Sequence, residues 1–111
     1  MARRRRACPA LFCISDNGLS ISFRTRGWAE AWAEQRLGMR VFRADGTSLP
    51  QLLRASTAAA EYVRSSRQPA TLLLLNLPRR FGHAATDRQL AYLDEAEIDA
   101  MRENDPVAAA P

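Results

Sequence analysis

The 111-residue sequence contains no lysine, and all 16 of its basic residues are arginine. It has a single histidine, His83, and two cysteines, Cys8 and Cys13, which are too far apart for a CxxC pair. Because no second cysteine or histidine cluster exists to complete a tetrahedral site, the sequence excludes a zinc centre. We therefore expect two free thiols.

The sequence also lacks a long hydrophobic run. The longest apolar stretch near the N-terminus, ACPALFCI, is interrupted by Pro9 and ends before Ser15. It is too short to span a membrane and lacks the cleavage pattern of a signal peptide. We therefore expect a soluble, cytoplasmic protein without a membrane partner.

The residues that are present suit one packed domain. Hydrophobic residues make up 47% of the chain and charged residues 25%, which is typical of a protein with a core. The net charge of +4 is unevenly spread, since residues 1–44 carry nine arginines and three acids. Residues 91–111 carry one arginine and six acids. The N-terminal part of the chain is therefore basic and its C-terminal part acidic.

Three apolar segments predict strands. Residues 10–14 form a short run that suits a strand buried on both faces, and MRVF predicts a strand that enters a turn at Asp45 and Gly46. The segment ATLLLLN is uniformly apolar, which predicts a central strand.

Helical spacing predicts a helix after each of the first two strands, and another near the end of the chain. The first covers residues 28–37, where Trp28 and Trp32 share an apolar side, and stops at Gly38. Ser48 with Gln51, and later Asp94 with residue 97, a glutamate, form capping-box patterns that begin the other two. The alternation of strands and helices predicts an α/β fold, a parallel sheet with helices on its faces.

Polar loops follow two of the strands, at the edge where ligands gather in parallel sheets. The first, SDNG, has carboxylate and amide oxygens that suit magnesium, but Asn-Gly is also a common tight turn. The second contains Arg79, Arg80 and His83, which suit an anion such as phosphate. A solvated basic loop is the alternative for this segment.

A run of four arginines at residues 3–6 is a third candidate site, for nucleic acid phosphates. It has no interleaved aromatic residues and matches no nucleic-acid motif. We interpret it as an exposed or frayed terminus.

Four segments occur in order along residues 10–107: LFCISDNGLSIS, FRADGTSL, AAAEYVRSSRQPATLLL and RRFGHAATDRQLAYLDEAEIDAMRENDPV. Together they resemble the alpha-type part of the thiamine-diphosphate-dependent 2-oxo acid dehydrogenases, the family of the pyruvate, branched-chain and acetoin enzymes. The likeness is greatest to bacterial forms in which alpha and beta parts are fused. It implies a partial thiamine-diphosphate-binding fold, with thiamine diphosphate and magnesium as cofactors.

The resemblance assigns roles in the first loop. The family's cofactor fingerprint begins with Gly-Asp-Gly and ends in a pair that is usually Asn-Asn, matched here by Asp16 and Asn17. It implies that Asn17 binds magnesium through its side-chain oxygen and Leu19 through its backbone carbonyl. Asp16 departs from the usual asparagine, whereas the metal-binding second position is kept.

The resemblance also assigns roles in the second loop. The family pattern of arginine, histidine, a small hydroxyl residue and aspartate is matched by Arg79, His83, Thr86 and Asp87. It implies that Arg79 and His83 face the cofactor's diphosphate, and that His83 has a catalytic part in acyl transfer to a lipoyl arm. Ala84 stands where some relatives carry a serine controlled by phosphorylation, so we do not expect that switch.

By the same resemblance, the Gly-Asp-Gly start and the beta part lie outside this sequence, so we expect a fragment. Residues 1–9 would be a basic N-terminal end, residues 10–105 the C-terminal portion of a thiamine-diphosphate-binding dehydrogenase domain, and residues 106–111 a truncated tail. The implied partners are a beta-type dehydrogenase chain or domain and a lipoyl-bearing acyltransferase.

The implied function is a part of the component that oxidatively decarboxylates a 2-oxo acid and passes the acyl group to lipoyl. We expect the chain to be inactive alone. The alternative is a non-catalytic remnant or a small basic module that binds anionic partners such as nucleic acid through residues 3–6 and Arg79 with Arg80.

Overall fold

The computed structural model describes residues 8–36 and 38–108, so the arginine run at residues 3–6 and Leu37 lie outside the described residues. Along the chain the elements are β1 (Leu11–Ser15), β2 (Leu19–Ser20), β3 (Phe23–Arg24), α1 (Trp28–Arg36), β4 (Arg40–Asp45), α2 (Leu49–Ser66), β5 (Ala70–Leu75), a 3-10 turn (Gln89–Ala91) and α3 (Glu95–Glu103). Strands β1, β5 and β4 form a parallel sheet in that order. The predicted α/β fold is confirmed.

Strand β5 is the centre of the sheet. It pairs with β1 on one side and β4 on the other, so that Leu73 lies beside both Ile14 and Arg43. The side chains of Thr71 and Leu73 are fully buried. The prediction of a central strand from its unbroken apolar run is confirmed, because such runs are needed where both faces are covered.

Helices α1 and α2 lie on opposite faces of the sheet. Arg43 of β4 forms ion pairs with Glu30 and Glu34 of α1. The ring of the preceding residue, Phe42, lies 5.8 Å from that of Tyr62 in α2. Because successive strand residues point to opposite faces, these contacts place one helix on each side.

The prediction that β1 is buried on both faces is wrong. Leu11 is 38% exposed and Phe12 is 51% exposed. In the described structure β1 is an edge strand with β5 as its neighbour, and α2 lies mainly over β4 and β5. An apolar run therefore predicted the strand but not its position in the sheet.

The two capping-box predictions had different outcomes. Ser48 is the N-cap of α2, but its side chain makes no capping hydrogen bond. Gln51 Oε1 instead accepts from the Asp45 backbone N–H at 3.1 Å, because the turn after β4 brings that group within reach. At α3 the box is confirmed, with Asp94 and Glu97 each accepting from the other's backbone N–H at 2.8 and 3.0 Å.

The apolar side of α1 that the sequence pattern indicates is not the side that faces the sheet. Trp28 is 62% exposed and Trp32 49% exposed, whereas Ala33 is fully buried. A small side chain at Ala33 lets the helix approach the sheet closely. Trp28 contacts Phe23 edge-on, with ring centroids 5.7 Å apart.

Strands β2 and β3 form a short hairpin that the sequence did not predict. Its turn is at Ile21 and Ser22, and Ser22 has a φ of 59°. Separately, none of the helices in the described part of the chain is long and apolar enough to cross a membrane.

Candidate functional site

The two polar loops meet at the carboxyl edge of the sheet. The Asp16 backbone N–H donates to the Leu74 carbonyl at 2.8 Å, and the Leu77 N–H donates to the Asp16 carbonyl at 3.2 Å. These bonds continue the pairing of β1 and β5 beyond the strands. Both loops therefore border one region, as expected for neighbouring parallel strands.

The first loop is a compact turn built from its own side chains. Asp16 Oδ1 accepts from the Gly18 N–H at 2.7 Å, and Asn17 Oδ1 accepts from the Leu19 N–H at 3.0 Å. Gly18 has a φ of +68°, a backbone conformation that residues other than glycine rarely adopt. The turn that competed with the metal-site interpretation is thus present. It still leaves the Asn17 oxygen a second lone pair.

The carbonyl of Leu19 points away from the hairpin. The Thr25 N–H donates to the Gly18 carbonyl at 2.8 Å, so Gly18 and Thr25 are a hydrogen-bonded cross-strand pair. Hydrogen-bonded and non-hydrogen-bonded pairs alternate along antiparallel strands, so the next pair, Leu19 and Arg24, is not hydrogen-bonded. The Leu19 carbonyl is therefore free of the hairpin ladder.

A cleft of about 710 Å³ separates these loops from α3. Asn17 and Leu19 line it, whereas Arg79 and His83 do not, although Pro78 does. The full lining is Asp16, Asn17, Gly18, Leu19, Arg24, Arg26, Gly27, Glu30, Leu75, Asn76, Leu77, Pro78, Leu93, Glu97, Ala100, Met101 and Asn104. The structure thus brings two of the four predicted site residues into one cleft and leaves the other two beside it.

Arg79 is mostly buried, with 16% of its side chain exposed. Its guanidinium donates to the Tyr92 hydroxyl, lies 3.8 Å from the Asp87 carboxylate and stacks 5.5 Å from the centre of the Tyr92 ring. Its Nε is buried and has no hydrogen-bond partner among the described residues. Arg79 therefore keeps an unsatisfied donor that an anion could bind.

Asp87 anchors the second loop. Its side chain is 4% exposed, and its carboxylate accepts from the His83 N–H at 2.7 Å, the Tyr92 hydroxyl at 2.9 Å and the Ser22 hydroxyl at 3.2 Å. The His83 N–H chiefly, with Tyr92, Ser22 and Arg79, holds the pKa of Asp87 below its usual value. The ionised carboxylate therefore joins the loop to the turn of the hairpin.

His83 is exposed, and the hydrogen bond from its backbone N–H to Asp87 fixes its place in the loop. Its imidazole makes no hydrogen bond to any residue within 8–36 or 38–108. Gly82 permits this close turn, because a Cβ there would lie 2.6 Å from the Asp87 carbonyl oxygen. The ring is thus presented to solvent from an ordered backbone.

A second cleft, of about 760 Å³, lies between this loop and α3. It contains none of the four predicted site residues. Its lining is Gly82, Asp87, Arg88, Gln89, Leu90, Ala91, Glu95, Ile98, Asp99 and Arg102.

Several residues of the first cleft were missed by sequence reasoning. Arg24 and Glu97 face each other across 73 positions of the chain and have no local pattern that would reveal the contact. Asn76, which has a φ of 57°, was readable in principle, since asparagine after an apolar strand is suited to a left-handed turn. Its amide donates to the Asp45 carboxylate at 3.3 Å.

The donor set of the first cleft fits a hard cation that takes ligands from elsewhere as well. No group of three or more histidine, cysteine, aspartate or glutamate residues in the described ranges could hold a metal by itself. An amide oxygen at Asn17 and a carbonyl at Leu19 that is free of the hairpin ladder are nevertheless ligands of a kind that suits magnesium. Magnesium commonly completes its shell with water and phosphate oxygens.

One protein family matches nearly the whole length of the chain. The family model described as dehydrogenase E1 component matches residues 4–110. No curated protein and no solved structure gives a significant match. The family match agrees with the resemblance carried by the four ordered segments.

Proposed function

The chain belongs to the dehydrogenase E1 component family, and from that membership we propose that it is part of the decarboxylating component of a 2-oxo acid dehydrogenase complex. The family is generally thiamine-diphosphate dependent. The proposed reaction is oxidative decarboxylation of a 2-oxo acid with transfer of the acyl group to lipoyl.

One observation carries the proposal. The Asn17 amide oxygen and the Leu19 carbonyl, which is free of the hairpin ladder, belong to one tight turn at the edge of a single cleft. We assign them to magnesium, which would in turn hold the diphosphate of the cofactor. The side-chain oxygen and the carbonyl are both neutral, so a doubly charged ion bound by them keeps its charge for the phosphate oxygens.

We assign Arg79 to the same diphosphate. It directly follows Pro78, which lines the cleft, and its buried Nε donor lacks a partner in the described structure. Arginine donors suit phosphate oxygens because the planar guanidinium can offer two parallel N–H groups. The nearby Asp87 carboxylate pairs with a different nitrogen of the guanidinium, Nη2, at 3.8 Å.

We assign His83 a catalytic role, moving a proton at its imidazole while the acyl group passes to the lipoyl arm. Its exposure and its backbone anchor on Asp87 support this assignment. Imidazole is suited to the task because it can take up and release a proton near neutral pH.

When bound, the thiazolium ring of the cofactor supplies the electron sink for decarboxylation, and the protein supplies position and electrostatics. The proposed partners are a beta-type dehydrogenase chain or domain, which would form the other wall of the site, and a lipoyl-bearing acyltransferase. The exposed face of β1 and the open cleft leave room for such a wall.

Isothermal titration with thiamine diphosphate and magnesium, with and without a beta-type chain, tests the proposal. We expect binding that the partner strengthens, that Asn17→Ala abolishes and that Asn17→Asp retains, since aspartate keeps both the turn and the oxygen ligand. Gln68→Ala, at an exposed position after α2, is the control. Absence of binding in both conditions would contradict the proposal.

The same preparation also tests the basic-module alternative. A mobility-shift assay with nucleic acid at several salt concentrations should show no specific complex. Salt-sensitive binding that thiamine diphosphate does not compete would favour the alternative instead.

A further inference from the structure

A bidentate ion pair joins the β2–β3 hairpin to α3. Arg24 Nη1 and Nη2 donate to Glu97 Oε1 and Oε2 at 2.5 and 2.7 Å. Two parallel hydrogen bonds of this kind fix the orientation of the partners as well as their distance. The pair therefore sets how the first turn of α3 lies relative to the hairpin.

Glu97 is held from a second side. Its Oε2 also accepts from the Asp94 N–H at 3.0 Å in the capping box that begins α3. The hydrogen bonds from Arg24, with the one from Asp94, lower the pKa of Glu97 to about 2. The carboxylate is thus a fixed part of the helix start and stays charged at neutral pH.

Arg24 lies directly opposite Leu19 in the hairpin. The ion pair therefore acts one cross-strand step from the carbonyl that we assign to magnesium. Arg24 and Glu97 also line the first cleft, together with Met101 from the next turns of α3. A change in their separation would change the width of that cleft.

Helix α3 has few other anchors in the described structure. Ile98 is its one buried residue, and the Arg102–Asp99 pair lies within the helix itself. Beyond its C-terminal end, Asp105 pairs with Arg80 at 2.9 Å. The Arg24–Glu97 pair is consequently the polar tether of the helix start to the hairpin.

We propose that Arg24 is a positioning residue, whose ion pair with Glu97 holds α3 against the hairpin and keeps the Asn17–Leu19 turn in its binding geometry. The identity of the bound group rests on the proposed function. The tether itself is a property of the free chain and can be measured without a ligand.

Hydrogen exchange of the full chain at neutral pH, followed by NMR, tests the tether. Arg24→Gln removes the charge, and Glu97→Gln removes the ion pair while keeping an acceptor for the Asp94 N–H. Each should speed exchange of the Leu19 and Ile98 amides about two- to fivefold, the range of a partly exposed ion pair. The amides of the double variant should exchange no faster than those of either single variant, because all three variants lack the same ion pair.

Arg102→Gln is the matched control, since it breaks an ion pair of α3 that does not reach the hairpin. Its Leu19 exchange should equal that of the wild type. Arg24→Lys keeps the charge but not the bidentate geometry, so its Leu19 exchange rate should lie between those of the wild type and Arg24→Gln. Equal Leu19 exchange in Arg24→Gln, Glu97→Gln and Arg102→Gln overturns the inference.

Titration with thiamine diphosphate and magnesium in the presence of a beta-type chain separates the two proposals. Weaker binding by Arg24→Gln, with partial recovery in Arg24→Lys, supports the positioning role. Unchanged affinity in Arg24→Gln overturns that role even if exchange is faster. A wild-type chain that binds no cofactor while Leu19 exchange responds to Arg24→Gln contradicts the proposed function and supports the tether.

Discussion

Strand β5 and the loop that leaves it are adjacent in sequence but are held in different ways. In the strand, Leu73 is fully buried at the centre of the sheet, between β1 and β4. In the loop, Arg79 and His83 are held by hydrogen bonds and charge that converge on one carboxylate, Asp87.

The difference separates stability from local order. The free energy gained by burying apolar side chains is roughly proportional to the buried area and needs no particular partner. The strand therefore contributes to the stability of the whole sheet. A carboxylate with several donors acts only where those donors are placed, and it orders the segment that carries them. A substitution in the strand should therefore lower the stability of the whole protein, whereas one at Asp87 should release only the loop and its contact with the hairpin turn.

The largest expected effect is that of Leu73→Ala. Truncation of a fully buried leucine should lower the free energy of unfolding by about 2–5 kcal/mol, because transfer energy is lost and a cavity remains. Urea denaturation followed by circular dichroism measures this. Leu53→Ala, at a position 59% exposed on α2, is the control and should cost less than about 1 kcal/mol. Equal losses would mean that β5 is not the core.

Asp87→Ala should have a local effect. Without the carboxylate, the His83 N–H and the Tyr92 hydroxyl lose a common acceptor, and the Arg79 guanidinium loses its ion pair. Exchange of the His83 amide should rise by roughly an order of magnitude, while amides of β5 keep their rates. Asp99→Ala, which removes an exposed carboxylate of α3, is the control. A parallel rise in β5 would show that loop and sheet open together.

The smallest effect is expected from lowering the pH, which protonates Glu97 and removes its ion pair with Arg24. The folded pKa of Glu97 is about 2, below the ordinary 4.5, so its ion pair stabilises the α3 contact above pH 4.5 and is lost as the pH falls toward 2. The difference in Ile98 amide exchange between wild type and Glu97→Gln should shrink over that interval, because the carboxyl is about half protonated where the pH equals its folded pKa. A difference that stays the same from pH 5 down to pH 2 would assign it to something other than this carboxylate.

Much of the secondary structure was predictable because the sequence patterns that indicate it are local. The unbroken apolar run of β5 and the capping box of Asp94 and Glu97 each lie within a few consecutive residues. The placement of β1 was not predictable in the same way. An apolar strand can lie at the edge or in the centre, and its neighbours decide which.

The candidate site divides along the same line. The SDNG loop containing Asn17 could be identified from its sequence, whereas Leu19 was assigned by the family resemblance alone; both line one cleft in the structure. Arg79 and His83 lie beside that cleft rather than in it. The roles of all four in binding metal or cofactor remain predictions. Arg24 gave no sequence signal, since its partner lies 73 positions away.

The sequence by itself determined the alternation of strands and helices, the carboxyl-edge loops and the start of α3, because periodicity and capping act over short stretches of chain. Only the tertiary structure decided that β1 is an edge strand, that Asp87 joins the second loop to the hairpin at Ser22, and that Arg24 ties the hairpin to α3. Those contacts join distant residues, and their geometry exists only once the sheet has brought the loops together.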